Sequence, residues 1–145
     1  MNREIKFRAW QKYHKRMLEV IGLRYENNEL TEIGVKYPDG HIPKRVYYSK
    51  NNSDFYLYNN KGDCTFELMQ CTGLKDKNGK EIYEGDIIEA ENRLWQIGFR
   101  DGCFVGVDFK NVAWDELVNI GYGETKVIGN IFENSELLEV ANGQY

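Results

Sequence analysis

A mainly β chain is predicted, and three features of the sequence predict it. Aromatic residues are abundant, with ten Tyr, seven Phe and three Trp, and such side chains suit a pleated, half-buried surface. Several stretches alternate polar and apolar residues at the two-residue period of a strand. Fourteen glycines against two prolines supply tight turns between those stretches. At 145 residues the chain has room for one domain or two small subdomains. Its core is large enough to need no disulfide or metal. We expect an N-terminal antiparallel β subdomain over residues 1–75 and an SH3-like small β-barrel over residues 76–145, with few short helical turns and the option of one compact unit.

Each element follows from local pattern. Glu4-Ile-Lys-Phe-Arg-Ala-Trp10 places Ile5, Phe7 and Ala9 on one strand face. A polar turn over residues 11–16 leads to a return strand over 17–23. Glu26-Asn-Asn-Glu29 is a turn into a strand over 30–35. Tyr37-Pro-Asp-Gly-His41 has the Pro and Gly placement of a β-turn. Short aromatic strands are expected over 45–49 and 55–58; residues 24–64 give the weakest local pattern.

Asp76-Lys-Asn-Gly79 is a turn before a series of hairpins, because Asn-Gly between apolar runs favours that geometry. Strands are expected over 86–90 and 94–100, joined by a turn at Glu91-Asn-Arg93. The next strand covers 103–109. A two-residue Asp101-Gly102 loop would align Trp95, Ile97 and Phe99 with Phe104, Gly106 and Asp108. A three-residue loop, Arg100-Asp-Gly102, aligns them with Cys103, Val105 and Val107 and makes one apolar face. Register follows the buried face, so we expect the three-residue loop. Residues 114–119 suit a helical turn or short strand, 125–132 a closing strand, and 134–138 a single capped turn with Glu136 near its start.

Charge is unevenly distributed. The formal net is −4, yet residues 1–16 carry six bases and one acid, whereas residues 81–145 carry thirteen acids and four bases. Such a chain can associate with copies of itself, and its basic start can meet an acidic polymer. Cys64, Cys71 and Cys103 are an odd set without CxxC spacing. With no apolar leader and no run near the ~20 residues of a membrane span, a cytoplasmic location with reduced thiols and no membrane contact is expected.

Chemistry-bearing patterns are sparse. Counted as a calcium loop from Asp76, position 5 is Lys80 and position 6 is Glu81, where an oxygen ligand and Gly are required; a hairpin turn fits better. The cysteines with His14 and His41 lack the close pairs of a zinc site, so no metal or cofactor is expected. Asp86, Glu89 and Glu91 resemble the carboxylates that hold Mg²⁺ in nucleases, although charges on a strand edge also block edge pairing. Lys6, Arg8, Trp10, Lys12, Lys15 and Arg16, with Tyr13, form the best candidate nucleic-acid surface, cations for phosphates and rings for bases. A solvated strand with Trp10 packed at a rim is the plainer reading. Tyr83, Trp95 and Phe104 could line a peptide groove or simply fill a core.

Three blocks carry a resemblance: Arg3-Glu-Ile-Lys-Phe-Arg-Ala-Trp10, the run from Leu68 to Ile88 that holds Cys71-Thr-Gly-Leu-Lys-Asp-Lys-Asn-Gly79 and Tyr83-Glu-Gly-Asp86, and Val127-Ile-Gly-Asn-Ile-Phe-Glu-Asn-Ser-Glu-Leu-Leu138. Together they resemble the YopX family of bacteriophage and prophage proteins. Gln11 departs from that pattern, which more often has Asp after the Trp. The resemblance implies a β-rich fold and a phage context, and assigns no reaction. The expected function is that of a non-enzymatic phage or prophage accessory module that binds itself and a phage or host macromolecule. Nucleic-acid binding through the basic strip and metal-dependent catalysis at residues 86–91 are the alternatives.

Overall fold

The computed structural model describes residues 4–12, 14–40, 42, 46–48, 55–57, 64–108 and 113–143. The chain is mainly β and divides into two compact units, Lys6–Gln70 and Met1–Ile5 with Cys71–Tyr145.

In the unit Lys6–Gln70 the strands are β1 (Phe7–Gln11), β2 (Arg16–Glu26), β3 (Glu29–Lys36), β4 (Val46–Tyr48), β5 (Phe55–Leu57) and the first part of β6 (Cys64–Lys75). They pair antiparallel in chain order, and β6 also pairs with β1. Ala9, Leu18, Ile33, Val35 and Phe66 form the core, drawn from alternating positions as strand geometry requires. The first strand starts at Phe7, not Glu4, and takes in Gln11; Ile5 lies before it and is exposed. Strand β2 runs on to Glu26 because Asn27 and Asn28 both adopt positive φ, 50° and 67°. Two such residues make the turn whose twist matches paired strands. The expected Tyr37 turn is present, with Gly40 N–H donating to Tyr37 O at 2.8 Å. Arg45, Ser49 and Tyr58, at the ends of two expected strands, lie outside the described residues, as do Tyr13, His41 and Phe109.

The second unit contains the rest of β6, then β7 (Glu81–Tyr83), β8 (Asp86–Ala90), β9 (Arg93–Arg100), β10 (Cys103–Asp108), β11 (Ala113–Glu116), helix α1 (Leu117–Ile120), a 3₁₀ turn (Tyr122–Glu124), β12 (Lys126–Asn130) and helix α2 (Ser135–Gly143). The sheet order is β11-β10-β9-β8-β12, and no pairing joins β11 to β12 among the described residues. Residues 114–119 thus supply both a strand and a helical turn. Helix α2 has nine residues where one turn was expected.

The hairpin register corrects the sequence reading. Phe104 pairs with Phe99, Gly106 with Ile97 and Asp108 with Trp95, which is the two-residue loop. Asp101 and Gly102 have φ of 51° and 83°, and Glu91 and Asn92 turn the preceding hairpin in the same way, with φ of 52° and 59°, so Arg93 already belongs to β9. Asp-Gly is among the dipeptides that best tolerate two successive positive φ values, and that local preference decided the register. Trp95 and Val105 therefore lie on opposite sides of the sheet. The core that includes Trp95 consists of Ile82, Ile88, Ala90, Trp95, Ile97, Leu117 and Val127. Ile87 and Val105, on the other side, are also buried. A sheet buried on both faces gives no single apolar face from which register can be read. Cys103, expected in the core, is half-buried, with its thiol donating to Arg100 O at 3.3 Å.

Candidate functional site

The Asp76–Lys80 turn is a structural tie, and its carboxylate is committed. Asn78 and Lys80 N–H donate to Oδ1, each at 2.9 Å. Val127 N–H, on β12, donates to Oδ2 at 2.9 Å, while Lys77 N–H donates to Thr125 O. Burial by itself raises the Asp76 pKa; the N–H groups of Val127, Lys80 and Asn78, with the Lys80 charge, outweigh it and hold the carboxyl below its usual value. The sequence identified the turn, but not the link to a strand 51 positions away.

The 86–91 carboxylates are not brought together. Asp86 is buried and accepts Tyr83 N–H at 2.8 Å. Glu89 is exposed on the other side of β8, and Glu91 stands in a left-handed turn where strand alternation has ended. Among the described residues no group of three or more His, Cys, Asp or Glu is arranged to hold a metal ion. Cys71 is buried and His14 exposed.

Along the basic strip, Lys12 and Lys15 are exposed, with Lys15 at φ 49°, while Lys6, Arg8 and Arg16 are half-buried. Trp10 is 7% exposed, so its ring is covered. Arg16 lies with its guanidinium carbon 4.1 Å above the Tyr37 ring, and its Nε donates to Gln11 Oε1 at 2.6 Å. Of the three proposed groove aromatics, Trp95 is buried in the core, Phe104 packs partly against it, and Tyr83 is half-buried.

Two exposed features escaped the sequence reading, one on each face of the five-stranded sheet. Phe99 and Phe104 meet edge to face across the hairpin, ring centroids 5.2 Å apart. Phe99 remains 56% exposed. On edge strand β11, Trp114 is 40% exposed and carries the Arg100 guanidinium 4.7 Å above its ring. Val118 of α1 is 59% exposed. Alternation along β9 puts Phe99 on the Trp95 face, yet beside the hairpin turn it stays exposed, and no local pattern pairs Arg100 with Trp114.

The molecule is thus an all-β protein of two antiparallel units with an exposed arginine–aromatic edge. Residues 6–139 match the YopX protein family, and the chain belongs to that family. It is similar to protein EF1440 from Enterococcus faecalis, at 32% identity and a TM-score of 0.60 over 95% of this chain and 100% of that one. Protein yopX from Bacillus subtilis shares the fold at 21% identity and a TM-score of 0.52, covering 91% of this chain and 96% of that one. No curated protein matches the chain. No helix among the described residues is long and apolar enough to cross a membrane.

Proposed function

We propose that the chain is a non-enzymatic binding module that self-associates and engages a phage or host macromolecule in the bacterial cytoplasm. The observation that carries this reading is the exposed Arg100–Trp114 stack on edge strand β11. Large aromatics and Arg dominate the energetics of protein interfaces. Charge favours association between copies: Lys6–Gln70 carries eleven bases and eight acids, and the remainder eight bases and fifteen acids. The sheet order of the second unit supports its reading as an SH3-like module, since four successive strands form a meander and the fifth returns beside the first after a 3₁₀ turn. Light scattering at low salt is expected to give a mass above the monomer that falls with dilution. Trp114→Ser should weaken that association roughly tenfold or more. A monomer at both low and moderate salt overturns the self-association.

A second reading, nucleic-acid binding, is favoured by the exposure of Lys12 and Lys15 on one turn. It predicts retention on DNA or RNA that weakens as salt rises and is reduced in Lys12→Glu/Lys15→Glu. The covered Trp10 ring limits this surface to phosphate contacts. No retention at low salt removes it.

A further inference from the structure

We propose that Gln11, Arg16 and Tyr37 form an oxyanion-binding site at one end of the unit Lys6–Gln70. Gln11 closes β1, where it pairs with Arg16 of β2 and Phe66 of β6. It shares the inward face of β1 with Ala9 and is 0% exposed. A carboxamide buried so completely normally has every polar atom engaged. Here Oε1 accepts the Arg16 Nε–H at 2.6 Å, but Nε2 has no acceptor among the described residues.

Arg16 is held on two sides, by that bond and by the Tyr37 ring 4.1 Å below its guanidinium carbon. Tyr37 in turn packs against the core. Gln11 is neutral, so it fixes the guanidinium without cancelling its charge. The result is a preorganised cation with its terminal nitrogens to spare, next to a buried amide donor and followed outward by exposed Lys15. The Arg16 guanidinium and the Gln11 amide nitrogen both present donors only. Arg recognises carboxylates and phosphates through paired N–H groups. The ligand class is therefore a carboxylate or a phosphate carried by a small molecule or chain terminus.

The test is a ¹⁵N NMR titration of the full chain with inorganic phosphate and, separately, with acetate at constant ionic strength. Saturable shifts of the Gln11 side-chain amide and the Arg16 Nε–H are expected. The stronger of the two anions identifies the source as phosphate ester or carboxylate. Arg16→Met should abolish the saturable shifts while the rest of the spectrum stays dispersed. If that variant unfolds, Arg16→Lys decides: it keeps the charge, loses the paired N–H geometry, and should bind roughly tenfold more weakly. Shifts that drift linearly without saturating, that are equal in the Arg16 variant, or that leave the Gln11 amide unmoved overturn the site. Because the cluster lies wholly in Lys6–Gln70, this outcome is independent of the Trp114 association test.

Discussion

Asp76→Ala is expected to destabilise the chain by on the order of 3–5 kcal/mol, since three backbone donors lose their acceptor together and each orphaned donor costs about 1–3 kcal/mol. Two of those donors shape the turn itself; the third, Val127 N–H, ties the turn to β12. Asp76→Asn separates charge from shape. Its one remaining oxygen can still serve Asn78 and Lys80, but an NH₂ group then faces the Val127 N–H. Denaturant unfolding should therefore rank the variants wild type, Asn, Ala, in order of falling stability. The carboxyl also sets a pH dependence. Its pKa in the folded chain lies below the usual 3.8, so the folded state binds that proton less tightly than the unfolded chain. The stabilisation is complete above 3.8 and is lost as pH falls through the folded-state value. Between neutral and acidic pH, Asp76→Asn should lose less stability than the wild type. Equal acid losses in the two would show that this carboxylate is not a source of the acid sensitivity.

What the sequence made legible was what short-range chemistry decides. The turns at Asn27-Asn28, Asp76–Gly79 and Pro38–Gly40 were readable because few residues tolerate their backbone geometry. The strands between them were readable from alternation. Four things were not. Apolar matching gives the wrong Asp101-Gly102 register because it presumes a sheet with one buried face, whereas Trp95 and Val105 are buried on opposite sides. The bond from Asp76 to Val127 depends on tertiary approach, which no spacing encodes. The Gln11–Arg16–Tyr37 cluster is hidden in the sequence because Arg16 reads as one more cation of a basic strip, while its cross-strand partner is a buried amide. Helix α2 outran its expected single turn because Leu137, Leu138 and Glu139 continue a helical pattern past the Asn134 turn. Asn134 itself turns back, its Oδ1 accepting Asn130 N–H at 3.1 Å.

Gly106→Val is expected to cost about 3 kcal/mol, at the upper end of the usual range for overpacking a filled interior. The cause lies in the two-residue hairpin register. Gly106 pairs with Ile97, which sets Trp95 diagonally across from it on the same face. A Cβ at position 106 would stand 3.2 Å from Trp95 Cβ and 3.2 Å from its ring atom Cε3, and 2.5 Å from Ile120 Cδ1. The Ile120 methyl is the end of a flexible side chain and can swing aside. The root of Trp95 is fixed to its strand and cannot. Gly106→Ala should therefore cost about 1–2 kcal/mol, and pairing it with Ile120→Val should recover only the part due to Ile120. Such a rescue appears as a coupling energy in a double-mutant cycle. Had the three-residue loop formed, position 106 would face away from Trp95, and alanine there would be tolerated. Urea unfolding of the single and double variants settles the matter, and an alanine substitution within about 0.5 kcal/mol of wild type would remove Trp95 from the space above Gly106.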